Sequence, residues 1–294
     1  MTKKYRPESK ELTDEIRAIS DGSFLSLPCG NTHYVVEGEG DRWAVLVHGY
    51  ATPYFIYDKI AEGLIAAGYK ILRYDLLGRG LSERVKGPYT PALFAWQLQE
   101  IVNAVLGDKP FVLVGTSMGG TITTTYTAAH PDRVKKLVLL APAGMRFKPP
   151  FYMKLANVKG LGDLMFKTIG GKVLVKNCAK EMLYSGETAK EEYREKFAYY
   201  AQFKGMSNAT LSSLRNTILN FEDARKGYDG VAEARTPVLV IWGTADATMP
   251  YYQNEEMQSV LPQMKLITYE NSGHIFLYDE GERTVKDVLA FLEG

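Results

Sequence analysis

Phe111-Val112-Leu113-Val114-Gly115-Thr116-Ser117-Met118-Gly119-Gly120 is the stretch whose reading decides the fold. Four consecutive apolar residues have the length and composition of a strand buried on both faces. A helical pattern runs over 119–129 and stops at His130-Pro131. Between the two lies Gly-x-Ser-x-Gly, with the strand before and the helix after that this motif requires. Glycines on both flanks let neighbouring backbone crowd in without Cβ clashes. The helix that follows aims its positive end at the turn, which favours negative charge developing there. Ser117 is therefore the candidate nucleophile, and the Met118 backbone N–H a candidate donor to an oxyanion.

Working outward, the same alternation continues on both sides. Segments 24–27 and 33–37 read as two strands joined by a turn at Gly30-Asn31. Trp43-Ala44-Val45-Leu46-Val47 is a second fully apolar run, ending at His48-Gly49. A helical pattern over 57–67 closes at Gly68, a strand over 70–74 ends at Asp75, and 92–106 is helical. Downstream, 134–140, 238–242 and 265–269 read as strands and 285–292 as a last helix. Strands alternating with helices imply βαβ units and a mostly parallel sheet flanked by helices. Only 146–232 breaks the rhythm. It carries helical patterns, no convincing strand, and many aromatic and methionine residues, among them Phe147, Phe151, Tyr152, Met153, Met165, Phe166, Met182, Tyr184, Tyr199, Tyr200, Phe203 and Met206. The expected organisation is an α/β core of 1–145 and 233–294 with a helical insertion, 146–232, after the sixth strand. At the N-terminus, Leu12, Ile16 and Ile19 share one helical face over 9–20, which is expected to pack on the domain itself.

A serine hydroxyl is a weak nucleophile until a base takes its proton. The chain has four histidines. His33 lies in the early hairpin, where a surface or pairing role is expected. His48 precedes a glycine at a strand end and can fix the turn there, and His130 precedes a proline at a helix end. His274, in Asn271-Ser272-Gly273-His274, follows the last strand, on a loop at the carboxyl edge of the sheet beside Ser117. It is the candidate base. A carboxylate must orient that imidazole and stabilise its positive charge. Asp246, in Trp242-Gly243-Thr244-Ala245-Asp246, sits on another loop at the same edge, whereas Ala141-Pro142-Ala143-Gly144 after the preceding strand offers no carboxylate. The order Ser117, Asp246, His274 is the one this architecture uses. The second oxyanion donor should come from the loop after 43–47, which makes the Tyr50 backbone N–H the candidate.

The bulk numbers narrow the function classes. A length of 294 residues with 46% hydrophobic and 23% charged residues is that of a globular protein. A net charge of +1 builds no broad positive field, so nucleic acid is not an expected partner. Cys29 and Cys178 lack any metal-ligand spacing and are expected to be free thiols. The segment 1–12 has no apolar core of a secretory leader, and no apolar run reaches the ~20 residues that span a bilayer, so a cytoplasmic location without stable membrane insertion is expected.

LVHGY, YDLLGRGLSE, VGTSMGG, AAHPDRVKKLVLLAPAG, VLVIWGTAD and NSGH together resemble the α/β-hydrolase superfamily, in the lipase, esterase and lysophospholipase-like branch that carries a helical lid. The resemblance covers both ends of the chain but not 146–232. It implies Ser117 as nucleophile, His274 as base and Asp246 as acid, with Asp75 and Gly78-Arg79-Gly80 shaping the floor of the site. His48-Gly49-Tyr50-Ala51-Thr52-Pro53 departs from the HGxGEH of monoacylglycerol lipases. Serine at 117 argues against haloalkane dehalogenases and epoxide hydrolases, which use aspartate. The expected activity is cleavage of a small-molecule carboxylic ester with an apolar acyl or aryl group through an acyl-enzyme, needing no metal or organic cofactor. Rival readings are a meta-cleavage C–C hydrolase, for which Arg146 and Arg215 are the cations to watch, and a proline iminopeptidase-like amidase, for which Glu191, Glu192 and Glu195 are the carboxylates. A cofactor-free haloperoxidase side activity is a further variant. From another class comes a non-catalytic small-molecule receptor on the same fold. The oligomeric state is left open.

Overall fold

The apolar runs become strands. The computed structural model describes residues 5–294; residues 1–4, which open the charged segment read above as lacking a secretory leader, lie outside the described residues. The strands are β1 (Ser23–Leu27), β2 (Gly30–Glu37), β3 (Arg42–Val47), β4 (Tyr69–Tyr74), β5 (Phe111–Thr116), β6 (Val134–Leu140), β7 (Val238–Gly243) and β8 (Lys265–Tyr269). They form one sheet in the order β1-β2-β4-β3-β5-β6-β7-β8. β2 pairs antiparallel with β1 and β4, and every later pairing is parallel. β5 and β7 are buried along their whole length and β3 beyond its first residue. Both faces of the central sheet are thus covered, as the uninterrupted apolar sequence requires.

The helices are α1 (Asp14–Ala18), α2 (Asp58–Ala66), α3 (Pro91–Leu106), α4 (Met118–Ala129), α5 (Phe151–Asn157), α6 (Leu161–Met165), α7 (Gly171–Asn177), α8 (Glu187–Ala201), α9 (Met206–Ser213), α10 (Phe221–Glu233), α11 (Gln253–Val260), α12 (Phe276–Asp279) and α13 (Gly281–Glu293). α5 to α10 fill the interval between β6 and β7, and a π-turn, Phe166–Gly170, joins α6 to α7. α10 lies flush on α4: a Cβ on Gly227 would come within 2.8 Å of the Thr125 nitrogen, and one on Gly230 within 2.5 Å of Ala128 Cβ. The Tyr228 hydroxyl donates to the Ala143 carbonyl at 2.5 Å. None of the helices is long and apolar enough to cross a membrane.

The N-terminal helix is shorter than its periodicity predicts. Thr13 accepts from the Ile16 N–H and starts α1, which ends after five residues. Leu12 and Ile16 pack against the core, but Ile19 is 86% exposed. The spacing of three apolar residues met the helical template, but the chain leaves the helix before the third is used.

Candidate active site

The carboxyl ends of β3, β4, β5, β7 and β8 deliver five loops to one edge of the sheet, where open α/β sheets bind ligands. At the end of β5 the chain turns abruptly into α4. Ser117 sits in the turn with φ 53° and ψ −124°, a conformation an L-residue holds only when its surroundings impose it. The surroundings are the two flanking glycines. A Cβ on Gly119 would stand 2.2 Å from the Val47 carbonyl oxygen, and one on Gly115 2.6 Å from the Gly119 carbonyl oxygen. The Ser117 N–H donates to Leu140 O at 3.0 Å, and its carbonyl accepts from Gly120 and Ala143. The turn is therefore fixed on both sides.

After β7 the chain reaches Asp246, whose side chain is fully buried. Its Oδ1 accepts the N–H groups of Thr248 (2.9 Å) and Met249 (2.7 Å), so it caps its own turn. Its Oδ2 lies 2.7 Å from His274 Nδ1 on the loop after β8. Capping and pairing are carried by separate oxygens of one carboxylate. Burial pulls the His274 imidazole toward its neutral form, but the charge and hydrogen bond of Asp246, backed by the charge of Glu181, outweigh it and raise its pKa. Burial also raises the Asp246 carboxyl, against the pull of His274 and the Met249 N–H. The Thr248 and Met249 N–H groups donate to Asp246 and favour its ionised form, and an ionised carboxylate can only accept from the imidazole. Nδ1 of His274 thus carries the proton, and Nε2 is bonded to none of the described residues.

Ser117 and His274 line one cavity of about 180 Å³, together with Gly49, Tyr50, Thr116 and Thr248. No hydrogen bond joins Ser117 Oγ to His274 Nε2; in such sites this bond commonly tightens only with substrate in place. The N–H groups of Tyr50 and Met118 donate to no acceptor among the described residues. The peptide after Tyr50 is pinned because Arg79 Nε donates to the Tyr50 carbonyl at 2.9 Å. Arg79 is itself fully buried without a carboxylate partner among the described residues, and burial pushes its pKa down to about 10. It stands at the centre of Tyr50, Tyr89 and Phe94 rings and donates to Ser213 Oγ of α9 at 2.8 Å.

The other histidines are occupied. His48 Nε2 accepts the Leu76 N–H and Nδ1 bonds the Gly49 carbonyl, with burial holding its pKa down at about 4. His33 is buried against Asp75, and His130 ends α4. Both cysteines are free. Cys178 lines the cavity, but burial pushes its thiol up to about 12, so it stays protonated.

Of the twelve aromatic and methionine residues singled out between 146 and 232, none lines this cavity. The segment contributes Asn177, Cys178, Glu181 and Tyr193 instead. Glu181 has no motif to announce it. Its Oε2 accepts the N–H groups of His274 and Ala247, each at 3.0 Å, and its Oε1 accepts the Thr248 hydroxyl. One carboxylate thus ties the loop of Asp246 to the loop of His274. The one available signal was charge, since Glu181 and Asp163 are the sole carboxylates among eight Lys and Arg over 146–184. Arg146 lies at a different hollow, with Glu222 and Glu256, and Arg215 is bonded to Asp163 and the Ala156 carbonyl. Glu192 and Glu195 face a separate hollow of about 720 Å³ beside Arg73 and Lys196, and Glu191 pairs with Arg194.

A family model described as alpha/beta hydrolase fold matches residues 44–281. Lipase 3 of Moraxella sp. (strain TA144) is 26% identical over 289 residues, 95% of this chain and 87% of that protein. The 2-hydroxy-6-oxononadienedioate/2-hydroxy-6-oxononatrienedioate hydrolase of Burkholderia vietnamiensis (strain G4 / LMG 22486) is 24% identical over 283 residues, 94% of each chain. Among solved structures, the enol-lactonase of Burkholderia xenovorans LB400 superposes with a TM-score of 0.77 at 21% identity, over 92% of this chain and all of that one. The family match spans most of the chain and includes the loops of Ser117, Asp246 and His274, so the protein belongs to the alpha/beta hydrolase family.

Proposed function

We propose that the chain is a serine hydrolase that cleaves a carboxylic ester through an acyl-enzyme. The observation that carries this reading is the meeting, in one cavity, of Ser117 on its strained turn and His274 with Nδ1 held by Asp246. His274 Nε2 takes the Ser117 proton as Oγ attacks the ester carbonyl carbon. The carbonyl oxygen gains the charge and is met by the Tyr50 and Met118 N–H groups, each worth roughly 3–4 kcal/mol of barrier in sites of this kind. As the tetrahedral intermediate collapses, the C–O bond to the leaving group breaks and His274 returns the proton to it. Water, deprotonated by the same nitrogen, then attacks the acyl-enzyme and releases the acid. Helices α5 to α9 act as the lid, whereas α10, seated on α4, belongs to the core.

Two features separate this from its rivals. Among the described residues no lysine or arginine lines the cavity, and Glu181 adds negative charge, so a dienoate carboxylate would meet no counter-ion from them. Glu181 also has both oxygens engaged by the protein, which leaves it poorly placed to hold a substrate amine. A volume of about 180 Å³ lies below the roughly 300–1,000 Å³ of drug-sized ligand pockets, which favours a short acyl group.

The test is initial rates on p-nitrophenyl esters of graded acyl length, with Ser117→Ala as control and a fluorophosphonate probe as label. Short acyl esters should turn over fastest, Ser117 should be labelled, and the alanine variant should lose activity by a factor on the order of 10⁶. Turnover that survives Ser117→Ala would refute the mechanism. A folded protein that neither turns over esters nor takes the label would favour a receptor.

A further inference from the structure

Thirteen large hydrophobic side chains are exposed among the described residues, and nine of them fall between 151 and 184: Phe151, Tyr152, Val158, Leu161, Leu164, Ile169, Val173, Leu183 and Tyr184. The same stretch concentrates charge. Residues 146–184 hold eight Lys and Arg against two Asp and Glu, a net +6, so the rest of a chain of net +1 carries −5. Lys148, Lys154, Lys159, Lys167, Lys172, Lys176 and Lys180 are all exposed, and none has an ion-pair partner among the described residues. One of the two carboxylates, Asp163, is neutralised by Arg215, and the other, Glu181, is occupied by the loops behind it.

The two properties share one surface. Along α6, the π-turn and α7 the exposed positions include Leu161, Leu164, Ile169 and Val173, interleaved with Lys167, Lys172 and Lys176. The end of this run, Asn177 and Cys178, lines the Ser117 cavity, so the patch borders its mouth. Exposed apolar side chains in this number mark an interaction surface. The charge decides what kind. The core of a protein–protein interface is depleted of charged residues, whereas here lysines alternate with the apolar residues. A second copy would bring one +6 surface against another. A lipid surface suits both features, since apolar side chains enter the headgroup boundary while lysine stems lie along it and their ammonium groups reach anionic headgroups.

We propose that α5 to α7 dock the protein on the surface of anionic lipid bilayers, with the mouth of the cavity turned toward the lipid. The docking is peripheral, since no helix among the described residues is long and apolar enough to cross. It stands independently of the serine chemistry.

The experiment is co-sedimentation of the full chain with phosphatidylcholine vesicles, with and without phosphatidylglycerol, at about 100 mM salt and again at about 1 M, where the Debye length falls from ~10 to ~3 Å. Binding is expected to the anionic vesicles alone and to weaken strongly at the higher salt. A variant carrying Lys154→Gln, Lys159→Gln, Lys167→Gln and Lys172→Gln should bind about two to three orders of magnitude more weakly, at about fivefold per lysine. Leu164→Ser with Ile169→Ser should weaken binding about tenfold. All these positions are exposed, so circular dichroism and the melting temperature should match the wild type. Equal binding to neutral and anionic vesicles, no binding to either, or binding unchanged in the lysine variant each overturn the proposal. So does a dimer in sedimentation equilibrium that Leu164→Ser with Ile169→Ser dissolves while vesicles stay unbound.

Discussion

His33 Nδ1 lies 2.8 Å from Asp75 Oδ2, and His274 Nδ1 lies 2.7 Å from Asp246 Oδ2. The same two groups meet at nearly the same distance in two places, and what differs is the fate of the second nitrogen. His33 Nε2 lies 2.8 Å from the Asp21 carbonyl, so both nitrogens face fixed acceptors and both side chains of the pair are fully buried. Burial works against the charged imidazole, but the bond and charge of Asp75 and the Asp21 carbonyl raise the His33 pKa. Burial likewise works against the Asp75 anion, but His33, His48 and the Leu81 N–H lower its pKa. This is an ion pair that locks β2 to the loop after β4. In the other pair, His274 keeps 14% of its side chain exposed and lines the cavity of Ser117, and its Nε2 is bonded to none of the described residues. An imidazole–carboxylate pair can carry a substrate's proton only where one nitrogen is left unbonded, a condition that the His274 pair meets and the His33 pair does not.

The sharpest way to break this comparison is to remove one charge from each pair. Asp246→Asn should lower kcat by about 10⁴, because the amide favours the wrong imidazole tautomer, with little change in melting temperature. A loss under tenfold would return His274 to a structural role. Asp75→Asn should do the reverse. Removing one partner of a buried pair typically costs about 3–5 kcal/mol of stability, while kcat per folded molecule should change far less than in Asp246→Asn. The pH dependence has a definite sign. The raised His33 pKa contributes stability fully below about 6.5 that is lost as pH rises through its folded value, and the lowered Asp75 pKa contributes stability above about 3.8 that is lost as pH falls through its folded value. Denaturant midpoints of wild type minus Asp75→Asn should therefore differ most between those two values. An Asp75→Asn protein that keeps its midpoint but loses all turnover would merge the two pairs into one function.

The sequence showed these pairs unequally, for physical reasons. Strands buried on both faces must be apolar throughout, so WAVLV, FVLV and VLVIW declared the sheet. Once the sheet is known, its carboxyl edge selects the loops, and loop position with chain order makes Asp246 and His274 the candidates, which the structure brings within 2.7 Å of each other. His33 lies in a strand and its partner 42 residues away, a pairing that depends on β2 lying beside β4. The cavity wall was hidden for the same reason. The aromatic residues of 146–232 are largely spent on each other and on the core, as where Tyr200 stacks on Phe55 and meets Tyr54 edge-on. The residues that do reach the site, Glu181, Cys178 and Tyr193, are set by how short helices dock, which no local pattern encodes.

Glu181 offers the finest adjustment of the comparison, because it touches the His274 pair through the His274 backbone N–H and has no bond to the His33 pair. Its charge adds to that of Asp246 in raising the His274 pKa. A base must be neutral to accept the serine proton, so the acid limb of kcat/KM should lie above the 6.5 of a free imidazole. In Glu181→Gln the charge is gone but the size is kept, so that limb should move to lower pH. The three charge-assisted hydrogen bonds from His274, Ala247 and Thr248 are weakened as well, at a cost of about tenfold or more in kcat/KM at the plateau. The denaturant midpoint difference assigned to His33 and Asp75 should keep its shape across pH in the same variant. A limb that stays in place while the plateau falls would make Glu181 a mechanical tie between the two loops and nothing more. A limb that moves down with the plateau intact would make it a purely electrostatic partner of His274.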